Sequence, residues 1–245
     1  MSRASFRHTP AQILHKTEKK AETSLWGPLR RSDRILAAAR PIVLPDGGTI
    51  MKKLILVTSP PACGKTYVSK QLATALRHVV YLDKDTLIPL SKQIFAVAGQ
   101  EYNRSSEFFY KNIRDYEYET IVDLALEALT YDDIVLINAP FTREIRDTDY
   151  VGGLKAKLKE KSASLVVIWV ETSIEVCRQR MLARNSDRDT WKLAHWDEYI
   201  SKCDFTVPVA LDDPNVKDDL ILFRNSSDEE FRASLKQTVG LLEQT

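Results

Sequence analysis

The chain has 245 residues, 44% of them hydrophobic, enough to bury one sizeable core, so one domain with or without a tail is expected. Lysine plus arginine (35) nearly balances aspartate plus glutamate (34), which excludes the polybasic character that a long nucleic-acid track or an anionic membrane partner requires. No apolar run approaches the roughly 18 residues of a membrane span, no apolar signal region opens the chain, and Cys63, Cys177 and Cys203 lack CxxC spacing; a cytoplasmic protein with three unpaired thiols, no disulfide framework and no zinc site is expected.

The charge balance hides an asymmetry, because residues 1–50 carry nine basic and four acidic side chains. Pro10, Pro28, Pro41 and Pro45 interrupt this segment, which ends in the turn Asp46-Gly47-Gly48 and offers no obvious core. Three readings stand: a disordered basic tail; an organellar presequence, against which Glu18, Glu22, Asp33 and Asp46 count; and translated leader ahead of a true start at Met51. The last rests on codon degeneracy. Gly47-Gly48-Thr49-Ile50 can be encoded by a purine-rich GGAGG stretch shortly before an ATG, as at a bacterial ribosome-binding site.

Residues 53–58 (KLILVT) form an apolar run that predicts a strand, and Val68, Leu72, Ala75 and Leu76 recur at helical spacing over 64–76. The intervening Ser59-Pro60-Pro61-Ala62-Cys63-Gly64-Lys65-Thr66 matches the P-loop pattern G-x-x-x-x-G-K-[ST], with serine for the first glycine. A Gly-Lys-Thr triplet arises by chance, but a strand directly before it and a helix opening at it are the context in which such a loop cradles phosphates. Its inward N–H groups and the helix N-terminus hold phosphate oxygens, Lys65 neutralises the β and γ phosphates, and Thr66 ligates Mg²⁺. The nucleotide-binding candidates are therefore Ser59, Pro60, Pro61, Ala62, Cys63, Gly64, Lys65, Thr66 and Tyr67. Ser59 is expected to meet a torsion that serine tolerates poorly, while the two prolines stiffen the loop.

Further strands are expected at 79–82, 133–138, 165–170 and 220–223, with helices through 88–98, 107–129, 153–160, 174–183 and 228–242. Five apolar strands separated by helices imply an α/β fold, a parallel sheet covered on both faces. The second strand delivers Asp83-Lys84-Asp85 to its carboxyl end, the edge where ligands of open α/β sheets collect. Asp85 is the preferred general base and Asp83 the residue that orients Mg²⁺-bound water, though Asp85, followed by Thr86 and Leu87, also suits a solvated turn or a helix N-cap. The third strand ends at Asn138, where a Walker B carboxylate would stand, which counts against a motor ATPase. Arg143 and Arg146 follow, lining either an acceptor pocket or a solvated loop. Farther on, Arg180, Arg184 and Arg188 recur at i, i+4, i+8, one face of a continued helix that closes as a lid over the phosphates or lies solvated beside Glu175 and Asp187. Trp191, Trp196 and Tyr199 are expected in the core, with His195 incidental.

In order along residues 53–242, Gly64-Lys65-Thr66, Asp83-Lys84-Asp85-Thr86-Leu87, Asn138-Ala139-Pro140-Phe141 and Arg180/Arg184 resemble the P-loop kinase group that includes the polynucleotide kinase 5′-kinase domain, chloramphenicol phosphotransferase and zeta-type toxins, often labelled AAA-family ATP-binding proteins. The resemblance implies strand order 2-3-1-4-5, ATP as donor, Asp85 as base and Arg184 or Arg188 as the clamping lid; Ser59 and Asn138 depart from the pattern. It leaves the acceptor open, with Tyr102, Arg104, Arg114 and Tyr118 as candidate contacts. Read together, the residues suggest an ATP- and Mg²⁺-dependent phosphotransferase acting on a hydroxyl of a small molecule or nucleotide, without membrane or long nucleic-acid partners. A nucleotide-dependent switch or ATPase that binds a partner protein and a toxin-like kinase of an activated sugar are the rival readings.

Overall fold

A computed structural model describes residues 52–211 and 219–243, with the backbone alone at 187, 188 and 210. The basic leader and the proposed start at Met51 lie outside the described residues. Five strands form one parallel sheet in the order β2-β3-β1-β4-β5: β1 (Lys52–Thr58), β2 (Val79–Asp83), β3 (Ile134–Asn138), β4 (Ala163–Glu171) and β5 (Leu220–Arg224). The strands read as near-continuous apolar runs because both faces are covered, and alternate residues serve the two sides.

On one face Leu54, Leu56, Val135, Ile137, Val167 and Trp169 pack against Ile121, Ala125 and Leu129 from α4 (Asp115–Ala128) and its end, and against Leu154 and Leu158 of α5 (Thr148–Glu160). On the other, Ile55, Val57, Leu136, Ile168 and Val170 meet Val68 and Leu72 of α1 (Lys65–Ala75) and Leu242 of α9 (Asp228–Glu243). Each fully buried aliphatic side chain of this kind contributes about 1.5–3 kcal/mol. Lys52 and Lys53 open the central strand with buried ammonium groups. Their Nζ atoms donate to the carbonyls of Leu129 (2.6 Å) and Leu242 (2.7 Å), where the ends of α4 and α9 present unpaired carbonyls and a partial negative charge.

Between β2 and β3 lie α2 (Ile88–Val97), a single turn α3 (Glu107–Phe109), a wider π turn through Tyr110–Arg114, and α4, so the long helical stretch expected at 107–129 is nearly continuous. Helix α5 starts at Thr148, ahead of the expected residue 153, because the Asp147 carboxylate accepts from the Asp149 and Tyr150 N–H groups and Gly152-Gly153 does not interrupt it. Past β4 run α6 (Ile174–Arg184), α7 (Asp187–Ala194) and α8 (Trp196–Ser201). The continuous arginine helix is not formed. Asn185 adopts a left-handed conformation (φ 45°) that ends α6, and Arg188 belongs to the next helix, so the three arginines do not share one helical face. No described helix is long and apolar enough to cross a membrane.

Candidate active site

The loop after β1 carries its conformational burden late. Ser59 is fully buried, its hydroxyl donates to the Pro60 carbonyl at 3.0 Å, and its φ is not positive; the left-handed residues are Ala62 (φ 65°) and Gly64 (φ 89°). The expected strain at Ser59 is thus absent, and serine fits because the loop turns three residues farther on. Gly64 is required twice over, by its φ and because a Cβ would stand 2.5 Å from Asn225 Nδ2. It immediately precedes α1, and its carbonyl accepts from Val68 N at 3.0 Å. Lys65 Nζ folds back onto the Pro60 carbonyl (3.2 Å); burial draws its pKa down to about 8, opposed by electrostatic attraction to Cys63 and Asp85.

The sheet register pairs Asp83 with Asn138 and Asn138 with Val57, which sets the ends of β2 and β3 beside the loop. Asn138 Nδ2 donates to Thr66 Oγ1 (3.1 Å) and to Asp83 Oδ2 (3.0 Å), so one amide spans the two oxygens expected to face a metal. Asp83 Oδ2 also accepts from Tyr81 (3.0 Å), and Oδ1 from the Asp85 N–H (3.0 Å), as the cap of the turn Lys84–Leu87. The cap position is thus taken by Asp83 and not by Asp85. Asp85 is different: its side chain is 58% exposed and has Lys84 Nζ, 3.7 Å away, as its ion-pair partner. Both carboxylates line a cleft of about 580 Å³ together with Lys65, Thr66, Asn138 and Arg184.

Helix α6 reaches the loop from the other side. Arg180 donates to the carbonyls of Cys63 (3.3 Å) and Asn225 (2.8 Å), and Thr172 Oγ1 (3.0 Å) and Asn225 Nδ2 (2.7 Å) also converge on the Cys63 carbonyl. Arg180 thus braces the loop while lining the cleft. Arg184 lines it too, its guanidinium held by the fully buried Asp189 carboxylate through Nε (2.8 Å) and Nη2. The Arg188 side chain lies outside the described residues. Pro61, Ala62, Gly64 and Tyr67 face the cleft; Ser59 does not line it, and Pro60 and Cys63 line a separate space of about 490 Å³.

A family model described as an AAA domain matches residues 54–206, more than half of the chain. The chain belongs to this family. Among solved structures, the AAA domain is similar to a candidate kinase from Chloroflexus aurantiacus (TM-score 0.53, 19% identity, covering 80% of this chain and 99% of that one). It is also similar to a gluconokinase from Sinorhizobium meliloti (0.48, 16%, 79% and 95%) and to an APS kinase from Mycobacterium tuberculosis solved with AMPPNP and APS (0.46, 15%, 79% and 98%). No curated protein matches the chain. The resemblance to the P-loop kinase group holds at the level of fold, including strand order 2-3-1-4-5.

The arginines expected at an acceptor pocket are engaged away from this cleft. Arg104 pairs with Glu117 (2.6 Å), Arg114 with Glu144 (2.7 Å), Arg143 with Asp115 (2.6 Å), and Arg146 with Asp204 (3.0 Å). Tyr118 is buried with its hydroxyl donating to the Pro140 carbonyl (3.0 Å), and Tyr102 packs edge-on against Phe95. None of these six residues lines the phosphate-side cleft. Trp191 is 50% exposed, with His195 stacked on it, because α7 turns that face outward; the expected core position is realised by Tyr199, with Trp196 half-buried beneath Arg178.

Two residues, one lining the cleft and one bracing the loop behind it, escaped the sequence pattern. Lys192, one turn beyond Asp189 on α7, lines the cleft and lies 3.4 Å from that carboxylate. Asn225 directly follows β5, and its position at a strand's carboxyl end was the available signal. The Glu117 cluster was also missed: Lys84 Nζ (3.0 Å), Arg104 and the Ser91 hydroxyl all converge on this buried carboxylate. Burial alone would raise the Glu117 pKa, but the bonds from Arg104 and Ser91 and the Lys84 charge hold it at about 2. The cluster anchors the turn that carries Asp85.

Proposed function

We propose that this AAA domain transfers the γ-phosphoryl group of ATP to a hydroxyl of a small molecule or nucleotide, in the cytoplasm and with Mg²⁺. The observation that carries this reading is the placement of an exposed, weakly engaged Asp85 in the same cleft as Lys65, Thr66 and Arg184. The residues fit a hard cation: Thr66 Oγ1 and Asp83 Oδ2 sit on one amide, and Asp83 retains lone-pair capacity after its three hydrogen bonds. Thr66 and Asp83 would hold Mg²⁺, which when bound neutralises charge on the β and γ phosphates.

The chain's own groups do the rest. Loop amides and the α1 N-terminus bind phosphate oxygens, and Lys65 leaves the Pro60 carbonyl to place its ammonium against them. Asp85 accepts the proton of the attacking hydroxyl as the new P–O bond forms and the bond from the γ-phosphorus to the bridging oxygen breaks, releasing ADP; such a role typically contributes about 10²–10⁴-fold in rate. Asn138 keeps Thr66 and Asp83 oriented. Arg184, with Lys192 beside it, adds positive charge on the phosphate side and excludes water.

The test is transfer from γ-labelled ATP into a fractionated cell extract by the full chain, comparing wild type with Asp85→Asn. A labelled small molecule formed by wild type and lost in the variant supports the reading. Tight ATP binding with no labelled product overturns it and leaves a nucleotide-dependent switch.

A further inference from the structure

Two cysteines whose side chains this chemistry does not use meet where the loop packs on α6. Cys63 immediately precedes Gly64, and Cys177 sits in the first turn of α6; both are fully buried, and their sulfurs are 3.5 Å apart, joined by a thiol hydrogen bond. Cys203 is the third free cysteine, on the segment after α8. The pair joins two parts that already touch through Arg180, whose guanidinium reaches the Cys63 carbonyl from one turn farther along α6. Cys63 also forms part of the wall of the 490 Å³ space beside Pro60, Thr172 and Phe205.

We propose that Cys63 and Cys177 form an oxidisable dithiol, a site at which a small peroxide introduces a disulfide between the phosphate loop and helix α6, weakening nucleotide binding. Cys63 is the attacking sulfur. Its thiol is held below the ordinary range first by the hydrogen bond with Cys177, against the opposing effect of burial, with the charges of Lys65 and Arg180 adding to the lowering; the same bond and burial push Cys177 up. Cys63 sulfur attacks one peroxide oxygen, the O–O bond breaks, and a sulfenic acid and one water result. Cys177 sulfur then attacks Cys63 sulfur, the S–O bond breaks, and the departing hydroxide takes the Cys177 proton as a second water. Two thiols are oxidised and one hydrogen peroxide is reduced.

A disulfide requires the sulfurs to close to about 2.05 Å. Cys63 and Cys177 must therefore approach, although the Cys63 carbonyl is already fixed by Thr172, Arg180 and Asn225. The displacement falls on the residue next to Gly64 and Lys65, whose backbone N–H groups the proposed function assigns to the phosphates. Bond formation itself is independent of the proposed function, whereas its effect on nucleotide rests on the loop acting as a phosphate cradle.

The full chain is treated with hydrogen peroxide, denatured in alkylating reagent, digested and mapped by mass spectrometry; ATP binding is measured by calorimetry before treatment, after it, and after dithiothreitol. We expect a Cys63–Cys177 cross-linked peptide, alkylated Cys203, ATP affinity reduced about tenfold or more in the linked form, and recovery on reduction. In Cys177→Ala the link cannot form, and a sulfenic-acid probe labels Cys63 instead. Peroxide that oxidises Cys203 while leaving Cys63 and Cys177 both alkylated overturns the dithiol. A linked form that binds ATP as tightly as the reduced protein overturns the functional consequence. Failure of the reduced protein to bind ATP would instead refute the phosphate-cradle reading, with the mapped link still deciding the chemistry of the pair.

Discussion

Glu117→Gln removes one negative charge from a buried cluster while keeping nearly the same shape. The carboxylate, 4% exposed, faces Lys84 Nζ at 3.0 Å and Arg104 Nη2 at 2.6 Å, and the Lys84 side chain is itself only 4% exposed. Against an ordinary value of 4.5, a folded pKa of about 2 corresponds to about 3 kcal/mol in favour of the charged form. That agrees with the roughly 3–5 kcal/mol lost when one member of a buried ion pair is removed. Glu117→Gln is therefore expected to lower Tm at pH 7 by about 6–12 °C for a chain of this size. The sign of the pH dependence follows from the depressed pKa. The contribution is complete above the unfolded value of 4.5 and is lost as pH falls toward 2, so at pH 3 the wild-type advantage shrinks to about 1.4 kcal/mol. Thermal and urea unfolding of both proteins at pH 7 and pH 3 provide the assay. Equal Tm values at pH 7, or a deficit equally large at pH 3, would refute the assignment of Glu117 as the charged anchor of the Asp85 turn. Replacing the three charges together, as Lys84→Met, Arg104→Met and Glu117→Leu, is expected to recover much of the stability, because no unpaired charge is left buried.

Two further substitutions probe the loop and the metal side. Gly64→Ala places a Cβ 2.5 Å from Asn225 Nδ2 at a φ of 89°, and Asn225 cannot retreat without losing its 2.7 Å bond to the Cys63 carbonyl; a loss of about 1–3 kcal/mol in urea unfolding and of measurable ATP binding by calorimetry is expected. Asn138→Asp sets a second carboxylate against Asp83 Oδ2, now 3.0 Å from the amide nitrogen, and removes the donor to Thr66. Without Mg²⁺ it should lower Tm, and millimolar MgCl₂ should restore more stability to this variant than to wild type. An unchanged Tm without Mg²⁺, or no added response to it, would contradict the placement of Thr66 and Asp83 as the metal side.

The sheet was readable because parallel strands covered on both faces leave contiguous apolar runs, such as LILV in β1 and IVLI in β3, and because the Gly-Lys-Thr triplet fell at a strand-to-helix junction. Asp83, Asp85 and Asn138 were found by the same rule, since each stands at or just past a strand's carboxyl end. What escaped depends on distant partners or local reversals. Lys84 meets Glu117 across 33 residues, and Arg104 joins them from the loop ahead of α3, 13 residues before Glu117. The break after Arg184 depends on Asn185 entering a left-handed conformation, which spacing alone does not reveal, and the consequent fold-back brings Asp189 to Arg184 and Lys192 to the cleft. Ser59 was expected to be strained from the consensus pattern, but the turn it would have made is made by Ala62 and Gly64.

In the proposed function one cleft separates nucleotide holding, by Lys65, from proton acceptance, by Asp85. The most direct measurement pairs ATP·Mg²⁺ calorimetry with γ-phosphoryl transfer for wild type, Lys65→Ala and Asp85→Asn. Lys65→Ala should lose both ATP affinity and transfer, whereas Asp85→Asn should keep its affinity within about twofold and lose transfer by about 10²–10⁴-fold. Transfer by Asp85→Asn at the wild-type rate would contradict the account.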